Sequence, residues 1–359
     1  MKIIQISYEL TSGGRERFVV DLCNRLAQNK ENEVILLTCV DDRIPKNVHY
    51  LNDLSEKVRF HNLHAPKGHH PRSFWGIYKF IKNERPDIVH AHCGTLMIYL
   101  PAFMINNVHY VHTLHTLAQK NLEFKWCKHL NKFFYRRSIL PITISKACHD
   151  SYWKLYGSSD DVCIINGREP LIPSGIMPKE IGFVQDEEPV FIHVARCDVP
   201  KNQRRLFNCF NRLIDEGVKF HLIVLGSNYE KQWMPIFQNH PQIHILGERK
   251  NVADYMAYAD YFVLSSDYEG LPLTLLEAMS LGVIPISTPA GGVPEVIHDG
   301  RNGYLSKSFD DDDFYKKIKQ ALFEKGKLNK EIIKKDYEDH YSMKNCAQKY
   351  YSIYKELLK

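Results

Sequence analysis

A chain of 359 residues is too long for one small core, so two α/β domains of similar size are expected. Hydrophobic residues at 44% and charged residues at 25% describe an ordinary soluble globular protein. The net charge of +5 is uneven: residues 1–175 carry 23 Lys and Arg against 16 Asp and Glu, and the remainder 24 against 26. A basic first half points to an anionic partner there, with membrane lipid, a lipid-linked phosphate and nucleic acid all open on charge alone. Nine cysteines are scattered singly with no C-x-x-C pair, which fits free thiols in a reducing cytoplasm rather than a zinc ribbon or dithiol site. Met1 to Ser7 enters a strand at once and resembles no signal peptide. No stretch approaches the roughly 20 apolar residues that span a bilayer, so the chain is expected to be soluble or at most to lie on a membrane.

The first half alternates strand and helix. Strands are expected at 2–7, 33–39, 58–63, 86–90, 110–114, 140–144 and 162–165, and helices at 15–29, 73–83, 121–137 and 146–156. From Asn166 to about Pro189 the chain is rich in Pro and Gly without periodicity, which marks the linker. The pattern then restarts, with strands at 190–194, 220–225, 243–246, 261–264 and 283–287. Helices are expected at 202–216, 230–239, 252–257, 273–281, 293–296, 310–324, 329–337 and 342–358. Strands separated by helices imply crossover connections and parallel, doubly wound sheets. Two such halves facing a cleft would gather ligands at their strand ends.

Six features can carry chemistry. Gly13 and Gly14 form a turn between the first strand and first helix, where bare backbone amides can approach a phosphate; the spacing is not G-x-G-x-x-G, so a dinucleotide site is not indicated. Arg196 and Lys201 follow a strand at a helix start and can neutralise a diphosphate, or can be solvated loop cations. Glu269 and Glu277 stand eight positions apart across a strand-to-helix junction, either as a functional pair or as solvated carboxylates. Of eighteen histidines, His90, His92, His112 and His115 fall at strand ends; a lone strand-end His is more often structural, no zinc spacing appears, and His115 is best placed to enter a cleft. The run Asp310 to Asp313 reads as an N-cap and first-turn carboxylates rather than a metal cluster. Finally, the segment 121–137 interleaves Lys125, Lys128, Lys132, Arg136 and Arg137 with Phe124, Trp126, Phe133 and Tyr135, which suits either a solvated basic face or an anionic membrane.

Glu269-Gly270-Leu271-Pro272 and Glu277, followed by Gly282, Gly291, Gly292, Glu295 and Gly303, resemble the retaining GT-B glycosyltransferases of family four, the group 1 glycosyl transferases. Arg196, Lys201, Gly226, Gly247 and Asp260 extend the resemblance upstream. Gly13, Gly14, Glu16, His90, His115, Ser145 and Asn166 are similar to weaker landmarks of the same family. The resemblance implies an acceptor-binding Rossmann-like domain at 1–168, joined by the helix at 342–359, and a nucleotide-sugar-binding one at 169–341. It implies transfer of a sugar from a UDP- or GDP-sugar donor to a hydroxyl of a glycan or lipid-linked glycan, in cell-surface polysaccharide synthesis. Arg196 and Lys201 would hold the diphosphate, Glu277 the ribose hydroxyls and Glu269 the transferred sugar. Gly270, Leu271, Pro272 and Leu273 would bring helix amides to the phosphates. Gly13 and Gly14 would approach from the first domain, and His115 would sit near the reacting carbon. No cofactor, no bound metal and no nucleic-acid partner are implied, and the setting would be cytoplasmic or peripheral on the inner membrane face. Attack by the acceptor on the donor's front face, with domain closure completing the site, is the mechanism implied. Arg15, after the glycine pair, and the run Gly167-Arg168-Glu169 depart from the family pattern. A nucleotide-sugar epimerase and a catalytically silent nucleotide-sugar-binding subunit are the alternatives.

Overall fold

The computed structural model describes residues 1–158, 160–185 and 188–359, so two residues at the end of the expected linker, 186 and 187, lie outside the described residues. The chain divides into two units, 1–168 with 343–359, and 169–342.

In the first unit the strands are β1 (Lys2–Ser7), β2 (Glu33–Val40), β3 (Val58–Ala65), β4 (Ile88–Ala91), β5 (His109–Leu114), β6 (Ile139–Thr143) and β7 (Val162–Cys163). They form one sheet in the order β3-β2-β1-β4-β5-β6-β7, and every pairing is parallel. Its helices are α1 (Gly14–Leu26), α2 (Pro71–Glu84), α3 (Tyr99–Met104), α4 (Cys127–Tyr135) and α5 (Lys146–Tyr156). Helices on both faces of a parallel sheet bury each central strand on both sides, which is why β1 and β2 are near-continuous apolar runs. Helix ends follow local chemistry. Ser145 caps α5 by accepting the Cys148 N–H, and Gly157, at φ 65°, ends it in a left-handed turn.

The second unit repeats the plan. Strands β8 (Val190–Val194), β9 (His221–Leu225), β10 (Ile243–Gly247), β11 (Tyr261–Leu264), β12 (Ile284–Ser287) and β13 (Tyr304–Leu305) run in the order β10-β9-β8-β11-β12-β13, again all parallel. Its helices are α6 (Gln203–Asp215), α7 (Val252–Met256), α8 (Leu273–Ser280), α9 (Val293–Val296), α10 (Asp311–Phe323) and α11 (Lys330–Asp336). The last helix, α12 (Met343–Leu357), belongs to the first unit, where Tyr350 and Tyr354 are fully buried. Each sheet reverses direction beside its founding strand, at β1/β4 and at β8/β11. Those reversals are where doubly wound sheets bind ligands.

Two expected helices differ. Residues 230–239 form turns, in which the Trp233 and Met234 N–H groups both reach the Tyr229 carbonyl. Pro235 lacks the amide a helix would use there and pushes Met234 away from helical geometry. The helix expected over 121–137 is only α4, because residues 121–126 form turns that fold the Glu123 carboxyl inward. The short α3 and β13 were not anticipated.

Two glycines hold the second unit's loops at backbone contact. A Cβ at Gly226 (φ 141°) would stand 1.9 Å from the Ala195 carbonyl oxygen, and one at Gly291 (φ 54°) 1.9 Å from that of Glu269. Neither obstacle is a side chain that can swing aside. Gly226→Ala and Gly291→Ala are each expected to lower stability by on the order of 2 kcal/mol, read from the denaturant midpoint of the second unit's transition. A midpoint matching the parent's would show that the loops can separate freely.

Candidate active site

The loop after β8 carries two of the expected cations. Arg196 is exposed and ion-paired with Asp198 at 2.8 Å. Asp198 in turn opens a short turn at Val199–Lys201 by accepting the Val199 N–H at 2.8 Å. Asn202 adopts a left-handed conformation (φ 44°) and caps α6 through the Arg205 N–H, so Lys201 sits where the turn breaks into the helix. Its Nζ donates to Glu269 Oε1 at 2.6 Å, and Ser266 Oγ donates to the same oxygen at 2.6 Å. Glu269 is only 8% exposed. A carboxylate that far from water is costly without such partners, and a lysine is what the opposing loop supplies.

These two loops, after β8 and β11, are laced together along their length. The Asp267 N–H reaches the Pro200 carbonyl at 2.9 Å, Ser265 Oγ the Lys201 carbonyl at 2.9 Å, and Asn202 Nδ2 the Asp267 carboxylate at 2.9 Å. Arg205, on the first turn of α6, is buried and donates to the Ser265 carbonyl (2.9 Å) and to Asp267 (2.6 Å) and Asp311 (3.1 Å) carboxylates. It braces both loops from behind, and no sequence signature singles it out from its neighbour Arg204. Beneath them, His193 on β8 donates Nδ1–H to the Val263 carbonyl of β11 at 2.8 Å; burial pushes its pKa down to about 4, so it is neutral.

Gly270, Leu271, Pro272 and Leu273 lead into α8, with Pro272 at the cap position and both leucines buried. The Gly292 N–H bonds the Gly270 carbonyl at 2.8 Å, which fixes that loop from the other side. Glu277 lies on the second turn of α8, on the half-exposed face it shares with Thr274. The structure thus brings Lys201 and Glu269 together, directs Arg196 to Asp198, and places Glu277 on the following helix.

In the first unit Gly13 caps α1 and Gly14 opens it. The Glu16 carboxylate, buried and paired with Arg15 at 2.5 Å, folds back so closely that a Cβ at Gly13 would meet it at 2.2 Å. The departure at Arg168 is structural: it is buried, and its guanidinium pairs with Asp21 of α1 at 2.5 Å. His115 follows β5 directly and lies 2.9 Å from His92, with Phe18 edge-on to its ring at 5.3 Å. Burial holds the pKa of His90, His92 and His115 well below the ordinary imidazole value.

The acidic run is accounted for without an ion. Asp310 caps α10, Asp311 and Asp312 pair with Arg205 and Arg212, and Asp313 accepts from Ser308. Among the described residues one three-residue group, Asp41, Asp42 and His64, has metal-ligand atoms within 4.8 Å; Arg43 is paired with Asp41 there at 2.6 Å. All nine thiols are free. Among the described residues no helix is long and apolar enough to cross a membrane.

On α4, Cys127, Asn131, Phe134 and Tyr135 face the core, while Trp126, Leu130 and Phe133 remain 52%, 38% and 42% exposed. Lys125, Arg136 and Arg137 are exposed around them, and Arg137 lies over the Phe133 ring at 4.4 Å.

The two doubly wound parallel-sheet units place the chain in the GT-B class of folds. It resembles a solved glycosyltransferase from Rickettsia africae ESF-5 with a TM-score of 0.84 at 19% identity, over 100% of this chain and 98% of that one. Anabaena Alr3699/HepE, solved with UDP and glucose, gives 0.79 at 17% identity, over 99% and 100%. Residues 12–167 match the family described as Glycosyltransferase Family 4, and residues 179–339 the one described as Glycosyl transferases group 1. The chain belongs to the group 1 glycosyltransferase family. Among curated relatives, N-acetyl-alpha-D-glucosaminyl L-malate synthase of Bacillus anthracis is 35% identical over 36% of this chain and 34% of its own length. The N,N'-diacetylbacillosaminyl-diphospho-undecaprenol alpha-1,3-N-acetylgalactosaminyltransferase of Campylobacter jejuni is 27% identical over 48% and 46%. The chain therefore spans a third to a half of the length of these two relatives.

One titration stands apart from the second unit's loops. Glu123 points at the Gly94 backbone, where a Cβ would meet its Oε1 at 1.6 Å, and its Oε2 is buried without a partner. Burial pushes its pKa up to about 7. A carboxyl raised in the folded state stabilises while protonated, so its contribution is complete below the ordinary carboxyl range and is lost as pH rises through about 7. Glu123→Gln is therefore expected to gain on the parent between pH 5 and pH 8, by up to about 3 kcal/mol in first-unit stability. Parallel stability curves for the two proteins would remove Glu123 from this role.

Proposed function

We propose that the protein transfers a sugar, with retention, from a nucleoside-diphosphate sugar to a hydroxyl of a glycan or lipid-linked glycan, without a bound metal. The observation that carries this reading is the Lys201–Glu269 pair, 2.6 Å apart on loops after β8 and β11. These loops flank the point where the strand order reverses, the place at which such sheets take nucleotides. Lys201 and the exposed Arg196 supply positive charge for the diphosphate. As the glycosidic bond breaks, negative charge grows on the leaving phosphate, and a lysine fixed by its loop stabilises that charge without reorganising. Arg196 is free to exchange Asp198 for a phosphate, since an exposed pair of this kind is worth little. The amides at the start of α8, from Gly270 to Leu273, add to the phosphate site, and Glu277 accepts from the ribose hydroxyls. Glu269, whose Oε1 is taken by Lys201 and Ser266, offers Oε2 to a hydroxyl of the transferred sugar. The first unit contributes His115 near the reacting carbon and Gly13 and Gly14 at the acceptor side. UDP as the nucleotide is supported by the named ligand of the Anabaena structure, and a lipid-linked acceptor by the name of the Campylobacter relative.

A lipid-linked acceptor would require the protein to work at a bilayer surface in the cytoplasm. The outer face of α4 suits that setting. Trp126, Leu130 and Phe133 recur on one side of the helix, beside its core face, and Lys125, Arg136 and Arg137 rim them. Aromatic groups enter the headgroup boundary while the cations attract anionic lipid.

Two experiments test these readings. With UDP-sugars and a membrane lipid extract, nucleoside-diphosphate release should depend on acceptor; release independent of any acceptor would mean donor hydrolysis, and a changed donor sugar without net release would mean an epimerase. In that assay Lys201→Ala should slow turnover by roughly 10²-fold, while Glu277→Ala should chiefly raise the donor KM. In sedimentation with phosphatidylglycerol vesicles, the double variant Trp126→Ser and Phe133→Ser should bind at least about 10-fold more weakly than the parent. Equal binding would remove α4 from membrane contact.

A further inference from the structure

A chain of buried polar groups runs from the C-terminal helix to His115. Tyr354 Oη of α12 stands 2.6 Å from His90 Nδ1 and receives Gln5 Nε2 at 3.1 Å. The other end of the Gln5 amide, Oε1, lies 2.7 Å from His92 Nε2, and His92 Nδ1 lies 2.9 Å from His115 Nε2. From His90 a branch continues through Nε2 to Thr113 Oγ1 at 2.7 Å and on to Tyr350 Oη at 3.2 Å. Gln5, His90, His92, Thr113, Tyr350 and Tyr354 are all withdrawn from water. A neutral imidazole has one N–H and one lone pair, so each contact in the chain dictates the polarity of the next. Gln5 turns its amide nitrogen to Tyr354 and its oxygen to His92, which obliges His92 to carry its proton on Nε2. His92 Nδ1 is then an acceptor, and His115 must donate from Nε2. The remaining atom, His115 Nδ1, is left with a lone pair and no hydrogen-bond partner among the described residues.

We propose that His92, backed by Gln5 and Tyr354, is a positioning residue that holds His115 in the Nε2–H tautomer and presents Nδ1 as an acceptor for a sugar hydroxyl. The tautomer stands on this network alone; its use in the reaction rests on the placement of His115 near the reacting carbon. A tautomer set from behind costs no reorganisation when substrate arrives, and a neutral acceptor suits a hydroxyl donor better than an imidazolium would. Burial, which keeps these rings neutral, works in the same direction. Three of the groups in the chain come from β1, β4 and β5, and the anchoring phenol comes from α12. The last helix of the chain thus bears on a ring at the end of β5.

The test reads the tautomer directly, by long-range ¹H–¹⁵N correlation on ¹⁵N-histidine-labelled full-length protein at neutral pH, with His115→Gln giving the assignment. Nε2–H on His115 is expected in the parent. His92→Phe should release it to a mixture of tautomers and lower kcat by roughly 10²-fold with little change in donor KM. His92→Gln, which keeps both an acceptor and a donor, should restore part of that rate. Tyr354→Phe, at a fully buried phenol, should shift the same His115 signal in a folded protein even if His92→Phe fails to fold. Nδ1–H on His115 in the parent, or a His115 signal indifferent to both substitutions, would overturn the proposal. A tautomer that shifts while kcat stays constant would overturn the positioning role. An unchanged rate in His115→Ala would reject the placement of His115 at the reacting carbon and leave the tautomer assignment standing.

Discussion

Lys201 meets Glu269 across two loops, and the second unit's site depends on how that contact is made. A carboxylate this withdrawn from water is costly unless a cation and a hydrogen-bond donor answer it, and Lys201 and Ser266 do so on one oxygen. The contact holds the lysine's charge at a defined point instead of letting a long flexible chain sample solvent. Everything around it serves to keep the two loops in register: the Asp267 amide on the Pro200 carbonyl, Asn202 capping α6, Arg205 reaching behind both, and Gly291 allowing the third loop to press against the Glu269 backbone. Removing the lysine would therefore affect two things at once, the charge and the partner of a buried acid.

The two units share a strand order through their first six strands, and each sets its polar cluster beside the reversal point. Their clusters differ in kind. In the second unit the loops carry formal charges in pairs, suited to an anionic ligand. In the first unit β4 and β5 end in neutral rings linked by hydrogen bonds, with burial suppressing their ionisation. One scaffold has been dressed once for charge and once for directional hydrogen bonding.

Strand periodicity made the fold readable, because central parallel strands are buried on both faces and appear as unbroken apolar runs; β1, β8 and β11 coincide with the expected bounds. Local signals failed where a single residue outweighed the pattern. Pro235 dissolves the helix expected over 230–239, and the inward turn of Glu123 delays α4 to Cys127. At the site, Arg196, Lys201 and Glu269 are visible as residue types at strand ends and Glu277 on the helix that follows, and the Lys201–Glu269 contact is not, since sequence gives no measure of the distance between two loops. Arg205 and the Gln5–His92–His115 chain were invisible for the same reason: their partners lie between 23 and 349 positions away.

The residence of α12 in the first unit has a bearing on how the protein comes into being. Synthesis delivers residues 169–342 before 343–359, so the first unit, though begun earlier, cannot fill the space of Tyr350 and Tyr354 until the second unit's residues have been made. Until then its sheet exposes the seat of that helix, along with the buried imidazoles that the two tyrosines complete. Nascent chains of this protein should therefore complete residues 169–342 before residues 1–168, with chaperone dependence concentrated on the first unit.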